Sequence, residues 1–371
     1  MKFDNLFDLA RLPYFEVREG RLRLADPSLG PVVDCHTHLA LAYGPRRADG
    51  SAGGGTSRRR GVDLLAETPN VETYLRVDKP IDFDVYMNRN FAPHDLHAIE
   101  RDMTKDTFGA GGMRATHTLP NLLRSMRDVG VTESVLLPID FPFWSKNSER
   151  WLALTAGKGE IVCFGSVHPF QPGMRRKVAK LAAMGARGLK FHPAVQLVGP
   201  DERRAMKLYR LCAEYKLPIL FHCGPVDIET WLGRRKCQVR RYERAIAENP
   251  DVDFVLGHAG ALQYEEAIGF ARKYENVYYE IASQSLPAVE RLVDALPEGR
   301  LMMGSDWPFY HPAIGIAKVL LATERAPKAR RAVLRDNAAR LFRLGDFGDA
   351  VLAREGERAG VFGHAAEERR A

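Results

Sequence analysis

Short apolar runs that end in a histidine or an aspartate recur along the chain. The first is Pro31–Leu39, in which Asp34, His36 and His38 occupy alternate positions. Alternate side chains of a strand share one face, so the pattern predicts a strand that presents both histidines together. Three later apolar runs end in the same way, at His222, His258 and Asp306. Strand ends converge when the strands are parallel, and parallel strands need helical connections between them.

From residue 118 onward, strand patterns and helix patterns alternate. The eight predicted strands are Pro31–Leu39, Glu133–Ile139, Ile161–Val167, Ala186–Pro193, Pro218–His222, Phe254–His258, Asn276–Ile281 and Arg300–Gly304. The predicted helices are Leu119–Asp128, Met174–Met184, Asp201–Tyr215, Asp227–Ala247, Tyr264–Lys273, Leu286–Ala295, 314–322 and 328–342. Regular strands with a helix after most of them predict an α/β fold, a (β/α)8 TIM barrel rather than an open sheet.

Three segments fall outside this repeat. Tyr14–Leu24 alternates apolar and charged residues around Glu19–Gly20, which predicts a hairpin within an N-terminal extension, residues 1–30. The barrel domain is expected over 31–343, with a long insertion after strand one at about 41–117. Because an insertion there hangs over the carboxyl end of the barrel, we expect a substrate-covering lid, with the Gly-rich, basic tract 51–61 as its mobile part. Residues 344–371 are expected to form a tail.

Composition narrows the classes of partner. The 371 residues carry a formal charge of +7, but the arginines are scattered and no basic stripe is interleaved with aromatic residues. The lack of a basic stripe disfavours a nucleic-acid ligand. The excess of positive charge fits a small anionic substrate just as well. The five cysteines are odd in number and form no CxxC pair, as expected of reduced, buried thiols. With no apolar run approaching the ~18 residues of a membrane span, we expect a cytoplasmic protein without a membrane partner, with homo-oligomerisation left open.

The predicted strand ends bring together a mixed set of nitrogen and oxygen donors. In a (β/α)8 barrel the active site lies at the carboxyl ends of the strands. Neutral imidazoles with a carboxylate suit one divalent metal ion, Zn²⁺ first, with Mn²⁺, Fe²⁺ or Co²⁺ as alternatives. Such an ion lowers the pKa of a bound water from ~15.7 to ~7, while a nearby carboxylate can accept its proton.

These motifs taken together resemble the amidohydrolase superfamily. They are Asp34-x-His36-x-His38, Phe221–His222, Gly257–His258–Ala259–Gly260 and Gly304–Ser305–Asp306–Trp307–Pro308. More narrowly, the chain resembles the single-metal hydrolases and decarboxylases that include aminocarboxymuconate semialdehyde decarboxylase and the pyrone dicarboxylate lactonases. The resemblance implies that His36, His38 and His222 hold the metal. It further implies that Asp306 is a ligand or the general base and that His258 is the catalytic histidine.

Four other residues are candidates for the pocket or for a second metal. Binuclear members of the superfamily carry a carboxylated lysine at the end of strand four, where this chain has Lys190 followed by His192. In that arrangement His258 would bind a second metal; otherwise Lys190 anchors an anionic substrate or pairs with Asp306. His168 and Trp307 are expected to line the pocket, and Glu280 is equally well explained as a core carboxylate.

The sequence leaves two reactions and one inactive alternative. The first hypothesis is a metal-dependent hydrolase of an amide, lactone or related carbonyl-type bond, acting through metal-activated water. The second is a non-oxidative decarboxylase that uses the same site. Ala259–Gly260–Ala261 after His258 favours hydrolysis, since the decarboxylases tend to have His-x-Gly-Gly there. A barrel that has lost catalysis and acts as a scaffold is the third, and the complete ligand set argues against it.

Overall fold

The structure is a computed structural model that describes residues 1–41, 63–68, 73–103 and 116–345. The predicted mobile tract 51–61 and the tail from residue 346 lie outside the described residues. Within the described residues, no helix is long and apolar enough to cross a membrane.

The predicted parallel strands are all present. Their bounds are Val32–Thr37, Val131–Leu136, Ile161–Cys163, Leu189–Phe191, Ile219–His222, Phe254–Gly257, Val277–Glu280 and Leu301–Met302. The first three form one parallel sheet and the last five another, in chain order. Parallel bridges link Gly165 with Leu189 and Thr37 with Trp307, so the two sheets meet at both seams. The α/β barrel predicted from the strand pattern is confirmed.

Helices follow most strands and cover the outside of the barrel. The α-helices of the described chain are Pro93–Arg101, Leu119–Asp128, Asn147–Thr155, Met174–Ala183, Pro193–Gln196, Arg203–Glu214, Trp231–Lys236, Glu243–Glu248, Tyr264–Ala271, Leu286–Ala295, Pro312–Ala322, Pro327–Arg331 and Asn337–Phe342. Short 3-10 helices are Leu6–Arg11, Pro27–Leu29, Met87–Asn90, Val239–Arg241 and His258–Gln263, and Ala332–Asp336 is a π-helix.

Two predicted helices are interrupted by tertiary hydrogen bonds. The prediction of one helix over 227–247 is wrong, because the Val239 amide donates to Gln263 Oε1 at 3.0 Å and the chain forms two helices with a 3-10 turn between them. The segment 328–342 contains the π-helix, and there the Val333 carbonyl accepts from the Met303 amide at 2.9 Å. The π-helix is a local bulge within this helical segment.

Two apolar clusters hold the barrel together. The larger one lies between the strands and the surrounding helices. The smaller one contains the strand residues that alternate with it, such as Leu220, Val255 and Met302, together with Phe342 of the last helix. Phe342 meets Phe164 edge-on with ring centroids 5.3 Å apart, so this helix plugs the interior of the barrel. The interior is therefore a packed core, and chemistry is confined to the strand ends.

The N-terminal hairpin forms as predicted, with strands Phe15–Arg18 and Arg21–Leu24. Arg21 pairs with Asp128 at 2.6 Å, which places the hairpin beside the amino end of the second barrel strand. The strand Lys2–Phe3 pairs antiparallel with Ile81–Asp82. The N-terminus is thus attached to the insertion, a contact that the sequence pattern does not predict.

Candidate metal centre

His36, His38 and Asp306 converge at the junction of the first and eighth barrel strands. The Nε2 atoms of His36 and His38 lie 3.6 and 3.5 Å from the same oxygen, Asp306 Oδ1. One ligand atom from each residue lies within 4.8 Å of the other two, and all three residues are buried. The backbone supports this approach, since the Asp306 amide donates to the His36 carbonyl at 2.8 Å.

The Nδ1 atoms of His36 and His38 each donate to a hydrogen-bond acceptor. His38 Nδ1 donates to the Leu137 carbonyl at 2.7 Å, and His36 Nδ1 donates to Glu280 Oε1 at 2.8 Å. Donation from Nδ1 leaves the Nε2 lone pair of each ring directed at the site. This arrangement of imidazoles, each oriented by a carbonyl or carboxylate, is the one that metal sites use to fix the tautomer.

Glu280 organises this side of the site. Its carboxylate accepts from the His258 amide at 2.5 Å and from the Ala282 amide at 2.7 Å, in addition to His36. Burial raises the pKa of Glu280, while the two amides and the nearby Lys190 oppose the rise. Of the two explanations open for Glu280 in the sequence, core carboxylate and site residue, the contacts favour the second.

Two glycines of the motifs leave room for the Glu280 carboxylate. A Cβ on Gly304 would lie 2.3 Å from Glu280 Oε2 and 3.0 Å from the Cβ of His36. A Cβ on Gly257 would lie 2.1 Å from the Phe221 carbonyl oxygen and 3.3 Å from Glu280 Oε1. Glycine before His258 and before Ser305 is therefore a packing requirement of the site.

His222 and His258 stand on the other side of the cluster. The His258 ring lies between the rings of His36 and His222. Its centroid is 4.8 Å from that of His36 and 4.9 Å from that of His222. His258 Nδ1 donates to the Ala282 carbonyl at 3.2 Å. His222 Nε2 is buried without a hydrogen-bond partner among the described residues. The tight group around Asp306 does not include His222, which is grouped instead with Glu229 and Cys237.

Lys190 and His192 approach the cluster from the fourth strand. Lys190 is 1% exposed, and its Nζ donates to His36 Nε2 at 3.1 Å. The His192 ring stacks on His222 with centroids 4.0 Å apart. Burial lowers the pKa of Lys190, while Glu280 and Asp306 oppose this. Both side chains therefore face the cluster at the strand ends.

Burial keeps four of the imidazoles neutral. The pKa values of His36, His192 and His222 are all held well below the usual range, first by burial and then by Lys190 and the neighbouring imidazoles. Burial lowers the pKa of His258 to about 4, although Asp306 opposes the shift. Neutral imidazole is the form that binds a metal ion.

The sequence also matches a known family. A family model described as amidohydrolase matches residues 33–344. The chain belongs to the amidohydrolase family. A search of curated protein sequences gave no match.

Solved structures of low sequence identity have a similar fold. An uncharacterised TIM-barrel protein from Bordetella bronchiseptica has a TM-score of 0.57 at 14% identity, over 84% of this chain and 98% of that one. A probable 2-pyrone-4,6-dicarboxylic acid hydrolase from Acinetobacter baumannii with citric acid bound scores 0.51 at 12% identity, over 84% and 99%. A 5-carboxyvanillate decarboxylase from Novosphingobium aromaticivorans, complexed with manganese and 4-hydroxy-3-methoxy-5-nitrobenzoic acid, scores 0.54 at 13% identity, over 86% and 98%.

The amidohydrolase donor set fits a divalent cation. The Nε2 atoms of His36 and His38 face one carboxylate oxygen, and a third imidazole, His222, has a buried nitrogen with no hydrogen-bond partner in the described part of the chain. A buried lone pair without a partner is destabilising by about 1–3 kcal/mol, and a metal ion removes that penalty. His222 joins the set around Asp306 only if its ring shifts.

The remaining predicted residues have more local roles. Asp34 accepts from the Ser305 amide at 2.8 Å and from Ser305 Oγ at 2.5 Å, so it braces strand one against strand eight. His168 donates from Nε2 to the Gln196 carbonyl and accepts at Nδ1 from the Phe170 amide. Both ring nitrogens of His168 are therefore hydrogen-bonded to backbone groups. Trp307 is fully buried, its ring meets His117, and its Nε1 has no partner among the described residues.

Two residues of the site have strained backbone conformations. His258 and Asp306 have φ of 56° and 63°, in the left-handed region that side chains with a Cβ rarely adopt. Non-glycine residues there cost of order 1–3 kcal/mol each and persist only when the surroundings hold them. The Glu280 bond to the His258 amide and the Asp306 bond to the His36 carbonyl supply that support.

Proposed function

We propose that this amidohydrolase is a metal-dependent hydrolase of an amide, lactone or related carbonyl-type bond in a small, anionic substrate. His36, His38 and Asp306 would hold one divalent cation, with His222 as a fourth ligand. Zn²⁺ suits the N/O donor set best, with Mn²⁺, Fe²⁺ or Co²⁺ as alternatives. When bound, the cation would acidify a water and polarise a carbonyl oxygen.

The observation that favours hydrolysis is the tautomer of His258. Its Nδ1 proton is engaged by the Ala282 carbonyl, so its Nε2 is a proton acceptor. Hydrolysis needs a group that takes the proton of the attacking water, and His258 Nε2 and the Asp306 carboxylate are both acceptors. Proton delivery to carbon, which decarboxylation requires, needs a donor instead.

Lys190 has a separate role in this proposal. Its ammonium group is a buried cation with Glu280 and Asp306 as the carboxylates that favour its charged form. A cation at this depth would attract an anionic group of the substrate or balance Asp306. We expect one metal ion and an unmodified lysine. A cation bound at His36 Nε2 would displace the Lys190 hydrogen bond to that atom, which would leave the ammonium group available to the substrate.

A decarboxylase is the alternative, and the position of the Lys190 ammonium group is the observation that favours it. An ammonium 3.1 Å from His36 is a proton donor within the cluster. Solved structures of similar fold include a decarboxylase as well as a probable hydrolase, at 13% and 12% identity, and a likeness of that size fixes only the fold.

The insertion is proposed to cover the site. In its described part, the amides of Tyr74 and Leu75 donate to the carbonyls of Pro308 and Phe309, both at 2.9 Å. These contacts hold it over the loop that follows strand eight. All five cysteines are buried and unpaired, which supports a reducing compartment such as the cytoplasm.

An isotope experiment separates the two reactions. A panel of amides, lactones and aromatic carboxylates is incubated with metal-loaded protein in ¹⁸O-labelled water. Hydrolysis predicts label in a product carboxylate and no release of CO₂. Release of one CO₂ per turnover, with solvent deuterium entering a C–H bond, would establish the decarboxylase instead.

A further inference from the structure

A turn of the insertion carries Tyr86 to the mouth of the proposed metal site. The turn is the 3-10 helix Met87–Asn90. The Met87 amide donates to the Ser283 carbonyl at 2.9 Å, and Asn88 Nδ2 donates to the Val226 carbonyl at 2.6 Å. The Tyr310 hydroxyl also donates to the Asn88 side chain. The position of Tyr86 is thus fixed by loops that follow three different barrel strands.

The Tyr86 side chain is buried, with its hydroxyl near that of Ser283. The side chain packs with Val226 and Ala261, just beyond His222 and His258 in the chain, and is 6% exposed. The hydroxyl has no hydrogen-bond partner among the described residues. Burial first, and then the nearby Tyr310 and Asp306, hold the pKa of Tyr86 well above its usual value, while the Ser283 hydroxyl offsets part of that rise. Tyr86 therefore remains a protonated donor.

A free acceptor lies on a loop that packs against Tyr86. Glu229 belongs to the loop after strand five, and its Oε1 accepts from the Val226 amide and lies 4.0 Å from Cys237 Sγ. Its Oε2 is buried without a partner among the described residues. An oxygen of Glu229 lies within 4.8 Å of a ring nitrogen of His222, and its charge reaches Tyr86 as well.

These contacts place polar groups of neighbouring loops next to one another. Ser283, which accepts from the Met87 amide, has its hydroxyl 3.5 Å from Asp306 Oδ2. Tyr86 packs against Val226, whose amide donates to Glu229; Glu229 lies near His222, and the rings of His222 and His258 are 4.9 Å apart. An unpartnered donor and an unpartnered acceptor on adjacent walls can be satisfied together by one ligand group that accepts at one atom and donates at another.

We propose that Tyr86 and Glu229 are the substrate-recognition pair of this site. The Tyr86 hydroxyl donates to an oxygen of the substrate, and Glu229 Oε2 accepts from an N–H or O–H of the same group. The pair selects an amide-type substrate that keeps its N–H over a lactone, which has none. This inference deepens the proposed function and rests on its metal site.

A matched pair of metal-binding probes tests the pair without knowledge of the substrate. Benzohydroxamate carries a carbonyl oxygen and an N–H, and N-methylbenzohydroxamate lacks the N–H. Binding of each to the zinc-loaded full chain is measured by titration calorimetry. We expect wild-type protein to bind benzohydroxamate about tenfold more tightly than its N-methyl analogue, because only the former satisfies Glu229.

Two conservative variants separate the two contacts. Tyr86→Phe should weaken both probes by about tenfold to a hundredfold, since it removes a buried hydrogen bond to a charged ligand. Glu229→Gln should remove the preference between the probes. The single oxygen of the glutamine must accept from the Val226 amide, so an NH₂ group takes the place of Oε2 and cannot accept from the N–H of benzohydroxamate. Tyr209→Phe, which loses a buried hydroxyl bonded to the Pro200 carbonyl away from the site, is the control and should change neither.

Three outcomes would overturn the proposal. They are unchanged affinities in Tyr86→Phe, equal binding of the two probes by wild-type protein, and no binding by wild-type protein that carries its metal. The comparison of probes on the wild type needs no variant, so misfolding of a variant does not remove the test. If the isotope experiment shows CO₂ release while the probes behave as expected, the recognition pair stands and only the proposed reaction fails.

Discussion

Replacement of Glu280 by glutamine tests how the site is held together. The carboxylate accepts three N–H donors, from His36 Nδ1, the His258 amide and the Ala282 amide, on its two oxygens. Glutamine has nearly the same shape but only one accepting oxygen. If that oxygen keeps His36 and His258 on the side of Oε1, the new NH₂ faces the Ala282 amide, and two donors oppose each other.

The magnitude follows from these contacts. One buried donor without an acceptor costs about 1–3 kcal/mol, so the free energy of unfolding of the metal-free protein should fall by about that amount. Loss of a group that orients a metal-binding imidazole typically costs 10–100-fold in metal affinity, or about 1.4–2.7 kcal/mol. Both effects arise from one side chain that would not bind the metal itself.

Two assays measure these effects. Metal affinity is measured by competition with a chromophoric chelator, and stability by urea unfolding of the metal-free protein. Glu149→Gln is the matched control, because Glu149 is a partly buried carboxylate paired with Lys177 at 2.5 Å on the outside of the barrel. Metal affinity in Glu280→Gln that equals that of the wild type would refute the orienting role of Glu280.

Other substitutions separate the remaining roles. Asp306→Ala should lower metal content and activity together, whereas His258→Asn should keep one metal per chain and lose activity, both measured by metal analysis and turnover. Lys190→Met should retain one metal; a drop from two metals to one in this variant or in His258→Asn would favour the binuclear site. Burial lowers the pKa of His311 to about 4, so the unfolded chain binds a proton first and stability is lost as the pH falls from about 6.5 toward 4. His311→Asn should flatten that loss by about 2 kcal/mol in unfolding measured against pH, and an unchanged slope would contradict it.

The barrel and three members of the donor set are predictable because each is a local pattern. Strand periodicity places His36 and His38 at one strand end, and parallel strands bring Asp306 to the same end. The sequence pattern predicts the strand end that carries His222 but not the orientation of its ring. In the structure His222 is grouped with Glu229 and Cys237.

Residues that act through tertiary contacts are the ones that the pattern does not show. Glu280 ends the seventh strand in the same way as a buried core carboxylate would, and only its three donors distinguish the two cases. The glycines at 257 and 304 are a signal in the sequence, because a Cβ at these positions would collide with the Phe221 carbonyl and the Glu280 carboxylate. Tyr86 lies in an irregular insertion, so no periodicity points to it.

Anomalous diffraction from crystals of the zinc-loaded protein tests the central claim most directly. Data collected on the two sides of the zinc absorption edge locate the ion without reference to activity. The proposed site predicts one peak per chain, within bonding distance of His36 Nε2, His38 Nε2 and an Asp306 oxygen. A peak bound only by His222, Glu229 and Cys237, or no peak in the barrel at all, would contradict the assignment.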